Sequence, residues 1–493
     1  MMTSIKENIA WNLMSNVLPF IAGVIFFPLI IEAYGLERFG LLTLAWALVG
    51  YFGLFDLGLS RALTQLVSDA IAHKKSAADI AELIKTCFGL MWLLGLSGGV
   101  VLWLSSPWMV TGPLRINSSL QQESILAFSF LAIVIPVVVH TAAMRGVLEA
   151  LHLFRSASLI RMVLGVGTFL APYLASIHNP SLVNAIVALI ILRMIVWVMH
   201  YLAVKRSGIL KTPSHSFNWR WMKPLMNFGG WMTVSNIIGP MMTYMDRFVI
   251  ASILGVTSVA FYVAPYEVVT KMLVVPVAIA GVLFPLFARE WKRNPLESAH
   301  KLNQGIIYTM IALFPLCLIL VYFADEWLML WLGNEFAEEA TAVVTWLVAG
   351  VLINSMAHIL FAKVQGAGRS DWTAKLHLLE LLPYLGLLWI MLHYFGIAGA
   401  AFAWFIRAAI DTFGLVFFVG KINQHNLHAT KEALMIMVLI IAILMIPFLL
   451  DSLTVRAIFA SFFFLIYVGL ALKQLRRDNV FDWLTNTLKR IKE

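Results

Sequence analysis

Charge is scarce in this chain. Of 493 residues only 12% are Asp, Glu, Lys or Arg, while 61% are hydrophobic. Apolar stretches long enough for a bilayer, about 20 residues each, follow one another, and that excludes a soluble globular domain. The short alternating segments of a β-barrel are missing. Inside lipid the backbone must satisfy its own polar groups, so the segments read as helices. Cysteine is almost absent too. Cys87 and Cys317 both lie within apolar segments, which argues against a disulfide framework and for buried packing. No G-x-x-x-x-G-K-[ST] run occurs, so no nucleotide motor is built in. Neither H-E-x-x-H nor paired-cysteine spacing points to a metal, and no cofactor is expected. The external connections are short, which disfavours an enzyme that must hold a bulky acceptor at that face. No small-residue cleavage pattern follows "MMTSIKENIAWNLMSNVLPFIAGVIFFPLII", so the first helix reads as retained.

What is present is a succession of spans. Hydropathy and helix breakers predict about 14 helices, near 9–32, 39–66, 82–106, 122–147, 157–177, 181–204, 225–250, 257–287, 302–331, 339–363, 372–394, 397–420, 433–450 and 454–473. Lys and Arg orient them. Lys74, Lys75, Lys205, Arg206, Lys211, Arg220, Lys223, Arg289, Lys292 and Arg293 fall in one set of loops, and the C-terminal tail adds more. The opposite turns hold only Arg38, Arg115 and Arg456, and one of them, "ADEWLMLWLGNEFAEEA", is purely acidic. By the positive-inside rule both termini are expected in the cytoplasm. The formal net charge of +9 is then a topology signal, and no nucleic-acid partner is needed to explain it. The tail "NVFDWLTNTLKRIKE" reads either as an amphipathic helix on an anionic leaflet or as a disordered end.

The chain repeats itself. "WNLMSN" (11–16) and "WMTVSN" (231–236) share Trp, Ser and Asn at identical spacing, and the same offset aligns Gly35 with Gly255. A nearly equal offset pairs Arg155 with Arg369 and Arg193 with Arg407. These ordered matches predict two parallel six-helix copies facing each other across an axis along the membrane normal. The expected organisation is a lobe at 1–206, a linker at 207–223, a second lobe at 224–421, two extra helices at 422–473 and a basic tail at 474–493. Rocking one lobe against the other would expose the cleft between them to each side in turn.

Charge inside the spans is where function is sought. A charge at the bilayer centre costs at least about 2.5–3.5 kcal/mol, so such residues face a bundle interior or a watery cavity. The cations at depth are Arg193, Arg247, Lys271 and Arg407; the acids are Asp56, Asp246, Glu267, Glu380 and Asp411. Glu267 with Lys271, and Arg407 with Asp411, stand one helical turn apart and could each be packing glue. Asp246 and Arg247 are adjacent and point in different directions. Arg193 has no acid within one turn on its own helix. Arg61, in "YFGLFDLGLSRALTQL", either borders the cleft or snorkels to headgroups. Asp56 either binds a proton or Na⁺, coupling transport to a gradient, or accepts bonds from the glycine-rich backbone after it. Buried Arg and Lys in a cleft invite an anion, and a lipid-linked phosphate or pyrophosphate fits the guanidinium fork.

The stretch "YGLERFGLLTLAWALVGYFGLFDLGLSRALTQLVSDAIAH" resembles the first two helices of the polysaccharide transporter family, the Wzx-type O-antigen, capsule and exopolysaccharide flippases. "YMDRFVIASILGVTSVAFYVAPYEVVTKMLVVP" is similar to their seventh and eighth helices, and "RGVLEALHLFRSASLIR" to the turn after the fourth. The resemblance implies an all-α, MATE-like fold of the multidrug/oligosaccharidyl-lipid/polysaccharide superfamily, with two six-helix lobes. The two further helices depart from the family's usual twelve. It implies a bacterial inner-membrane protein moving an undecaprenyl-pyrophosphate-linked oligosaccharide to the periplasmic leaflet. The expected partners are that substrate, membrane lipids, H⁺ or Na⁺, a glycan polymerase and a chain-length regulator. From the family's motifs Asp56, Arg61, Asp246 and Arg247 carry over as linked to transport. The alternatives are a drug or cation antiporter, which would want an acid-dominated cavity, and a glycan polymerase or ligase.

Overall fold

The computed structural model describes residues 5–54, 56–211 and 217–478. The tail from Asn479 onward, expected as an amphipathic helix or a disordered end, lies outside the described residues, as do the side chains of the 231–236 repeat copy. The chain is all-α, with no strand among the described residues. Its helices are α1 (Ile5–Leu54), α2 (Leu59–Ala72), α3 (Ala77–Thr111), α4 (Ser118–Ala150), α5 (Phe154–Ser176), α6 (Leu182–Arg206), α7 (Met222–Leu254) and α8 (Val256–Val269). After a 3₁₀ turn at Thr270–Leu273 come α9 (Val274–Arg293), α10 (Pro295–Tyr322), α11 (Ala324–Leu332), α12 (Asn334–Gly366), α13 (Ser370–Ile422), α14 (Gln424–Met445) and α15 (Leu453–Arg477). Among the described residues eleven helices are long and apolar enough to cross a membrane. This is a polytopic membrane protein.

Two of those helices are too long for one crossing. α1 has 50 residues and α13 has 53; at about 1.5 Å per residue each exceeds twice a core of about 30 Å. Each contains one non-helical glycine, Gly35 (φ 76°, ψ 164°) and Gly396 (φ 56°, ψ −145°). Gly255, between α7 and α8, has φ 90° and ψ 166°, close to the Gly35 geometry. The two glycines aligned in the sequence repeat thus make the same turn, in a region that a Cβ disfavours.

Three predicted helices are divided. The 39–66 span stops at Leu54 and restarts at Leu59. Leu57 and Gly58 take φ of 50° and 72° there, because the Asp56 carboxylate competes for backbone N–H groups that a continuous helix would use. The 257–287 span is interrupted by the 3₁₀ turn, and the 302–331 span by a break at Phe323. The expected turn between the fifth and sixth helices, "SIHNPSL", falls between Ser176 and Leu182.

The chain forms two compact units, one of Met1–Val268 with His377–Ala400, the other of Val269–Leu376 with Ala401–Glu493. In the first, α3 packs on α4, α4 on α6, and α1 on α5. Phe27, Phe39, Trp46 and Phe169 interlock by edge and stacked contacts at the α1–α5 seam. Polar clamps fix the helix ends. Glu123 on α4 takes Arg38 at 3.0 Å and the Leu182 N–H at 2.5 Å, tying the starts of α4 and α6 to the turn of α1. At the other end Arg220 binds Asp79 and the buried Glu82 of α3, and Asn218 bonds Glu82 and Thr86. α1 also meets the start of α8 closely: a Cβ on Gly40 would lie 2.0 Å from the Val256 carbonyl oxygen. In the second unit α12 is the innermost helix, packed on α9, α10 and α11, and Arg456 pairs with Glu326 at 2.7 Å.

Candidate functional site

Within the first unit, charged and phenolic side chains of α6, α7, α8 and α13 gather at mid-helix depth. Arg247, 3% exposed, donates from Nη2 to Glu267 Oε1 at 3.0 Å. Its guanidinium also lies 5.3 Å from the Tyr244 ring and 5.4 Å from the Tyr266 ring, so two aromatic faces and a carboxylate share one cation. Asp246, 1% exposed, accepts the Tyr262 hydroxyl at 2.9 Å and the Arg247 backbone N–H at 2.8 Å. The adjacent Asp246 and Arg247 therefore do diverge, as the sequence implied. Tyr384 of α13 stands within electrostatic reach of Tyr262. The α1 segment before Asp56 borders this cluster, since a Cβ on Gly50 would lie 2.9 Å from the Tyr244 hydroxyl.

Arg193 is different. It lies half-buried on α6, within electrostatic reach of the Tyr244 phenol. Among the described residues it has no hydrogen-bond or ion-pair partner. An arginine cannot shed its charge at ordinary pH. A guanidinium left without a carboxylate at this depth has five donors to offer an incoming anion.

The remaining expected residues fall elsewhere. Asp56, 3% exposed, accepts the Gly58 N–H at 2.9 Å and the Ser60 N–H at 3.3 Å, and binds the Ser60 hydroxyl. It thus caps the start of α2 and relieves N–H groups with no helical partner. Arg61 is exposed on α2. In the first unit Glu380 is 6% exposed. In the second unit Lys271 is exposed in the 3₁₀ turn, Arg407 is half-buried 6.0 Å from the Trp404 ring, and Asp411 is 7% exposed within reach of His358.

Sequence reasoning missed two features. The tyrosines around Arg247 carried no signal in a chain where 13% of residues are aromatic. Lys363, at the end of the predicted 339–363 span, is 1% exposed, bonded to Ser298 and 5.0 Å from the Phe287 ring. The apolar stem and the ring shield it, and position along the chain could not reveal that. No group of three or more His, Cys, Asp or Glu side chains suited to a metal occurs among the described residues.

The fold defines the class: a polytopic helical bundle with a MATE-like fold. It superimposes on an inward-facing multidrug resistance MATE family transporter of the MOP superfamily with a TM-score of 0.71 at 14% identity, covering 84% of this chain and 98% of that one. The lipid II flippase MurJ, in an inward closed conformation, gives 0.70 at 12% identity over 95% and 99%. At such identities the likeness is one of fold. In sequence, the family model described as polysaccharide biosynthesis protein matches residues 5–291. A Shigella flexneri protein named "Putative O-antigen transporter" is 31% identical over 422 residues, 83% of this chain and 96% of that protein. The chain belongs to the polysaccharide biosynthesis protein family.

Proposed function

We propose that the protein is an inner-membrane flippase. It carries an undecaprenyl-pyrophosphate-linked oligosaccharide repeat unit, of O-antigen, capsule or exopolysaccharide, from the cytoplasmic to the periplasmic leaflet. Both termini are cytoplasmic, about fourteen passes cross the bilayer, and two six-helix lobes alternate access to the cleft between them. No bond in the substrate is made or broken. Arg193 carries the reading: a permanent cation at mid-helix depth with no carboxylate partner among the described residues. Its insertion cost of at least about 2.5 kcal/mol is offset when a pyrophosphate takes its fork of donors. The name of the Shigella relative and the family's description support the same substrate class. Arg247, already neutralised by Glu267, holds Tyr244 beside Arg193. Arg61, Lys271 and Arg407 are the further cations proposed to contact substrate, and Asp56, Asp246, Glu267, Glu380 and Asp411 are the sites at which H⁺ or Na⁺ would couple.

The test is a deletion strain. Lipid-linked oligosaccharide should accumulate on the cytoplasmic side and surface glycan should fall, with both reversed by the wild-type gene. Normal surface glycan without accumulation overturns the proposal. The buried acids Glu380 and Asp411 favour, as a second reading, a cation or drug antiporter; that reading requires dye efflux to fall in the same strain.

A further inference from the structure

We infer that the α6 face beginning at Arg193 is a saccharide subsite, an aromatic track on which the first sugars of the lipid-linked head stack. The inference rests on the flippase reading and adds the residues that would recognise the sugar. Arg193, Trp197 and Tyr201 recur every fourth position, so they line one helix face over about 12 Å, the reach of a diphosphate and its first sugars. Trp197 and Tyr201 lie parallel, 8° apart with centroids at 5.8 Å, a stacked aromatic pair. Tyr201 is 40% exposed and Trp197 half-buried.

Behind them the track is held rigid. Trp197 Nε1 donates to His140 Nδ1 at 2.9 Å, so the imidazole accepts at Nδ1 and carries its proton on Nε2. Phe88 and Trp92 of α3 pack on that imidazole at 4.7 and 5.1 Å. His140 is 4% exposed, and no described residue accepts from its Nε2–H. A sugar would use the ring faces so fixed: its polarised C–H face sits against the negative face of an aromatic ring. Stiff, pre-placed rings add contact at little entropic cost. The Arg193 guanidinium, one turn along the same face, would then hold the diphosphate to which the first sugar is attached.

The experiment separates this subsite from the flippase reading. Purified wild-type protein and the Trp197→Leu and Tyr201→Leu variants are titrated with undecaprenyl pyrophosphate. The same proteins are then titrated with that lipid carrying a hexose–N-acetylhexosamine disaccharide, with native mass spectrometry as readout. Wild type should prefer the sugar-bearing lipid by about tenfold, the scale of one aromatic anchor. Both variants should keep the bare lipid's affinity and lose the preference. Tyr201 is exposed, so its variant tests the idea even if Trp197→Leu fails to fold. A preference retained in the variants, or absent from wild type while both lipids bind, overturns the subsite alone and leaves the aromatics as an interfacial belt. Binding of neither lipid by wild type overturns the flippase reading as well.

Discussion

Arg193 and Arg247 share a neighbour and little else. Both stand near the Tyr244 phenol in one unit of the molecule. Arg247 is sealed at 3% exposure with Glu267, and two tyrosine faces flank it. Arg193 is half-buried and has no acid partner among the described residues. Neutralisation decides what a buried guanidinium can do. Once paired, it fixes the helices that carry its partners, here α7 and α8, and an anion would have to displace a carboxylate to reach it. Left unpaired, it is a standing invitation to a ligand of opposite charge. On the proposed reading the same chemical group is scaffold at one position and seat at the other.

The largest expected effect would break the scaffold side of that comparison. Arg247→Ala leaves Asp246 and Glu267 without their cation, and removing one partner of a buried pair costs about 3–5 kcal/mol. The protein should be depleted from membranes, and the purified variant should melt well below wild type. An unchanged melting point would return Arg247 to the list of substrate contacts. Arg193→Ala should do the reverse. Membrane abundance and melting stay as in wild type, while glycan export falls roughly 10- to 100-fold, the value of hydrogen bonds to a charged group at about 1.5–3 kcal/mol. Arg193→Lys, a point charge without the fork, should restore part of it. Export and stability falling together in Arg193→Ala would erase the distinction.

A smaller effect sharpens the contrast from the acid side. Asp56→Ala removes the side chain that caps α2 and should cost about 0.5–2 kcal/mol of stability. Asp56→Asn keeps an accepting oxygen and should melt like wild type. If Asp56→Asn also exports normally, the residue is a cap and no ion is coupled there; lost export with normal melting would make it the coupling site. The smallest effect belongs to Lys363→Met. Replacing a buried charge by an apolar chain of similar length is often neutral or stabilising, so melting should move by less than about 1 kcal/mol equivalent. A large loss would mean that Ser298 and the Phe287 face hold that lysine in a role beyond packing.

Much of this was legible before the fold. Long apolar runs can only be helices in lipid, and the matched glycines Gly35 and Gly255 proved to be matched turns because positive φ narrows the choice of residue. The break after Leu54 was hidden, since "FGLFDLGLS" is as apolar as a span and only the Asp56 bonds to Gly58 and Ser60 reveal the stop. Spacing set Glu267 one turn from Lys271. α8 ends at Val269, Lys271 lies in a 3₁₀ turn, and Glu267 also meets Arg247 of α7, a partner that spacing did not offer. A contact between helices leaves no trace in local periodicity. Arg193 could be singled out because its own helix offers no acid within a turn. That no described residue of another helix pairs with it required three dimensions.

The most direct measurement compares affinities for one lipid. Purified wild type, Arg193→Ala and Arg193→Lys are titrated with undecaprenyl pyrophosphate at fixed ionic strength. Loss of the guanidinium should weaken binding at least tenfold, with lysine between the two, and undecaprenol, which lacks the diphosphate, should bind all three proteins alike. Equal affinity of wild type and Arg193→Ala for the pyrophosphate lipid would contradict the claim that an unpaired cation on α6 seats the headgroup.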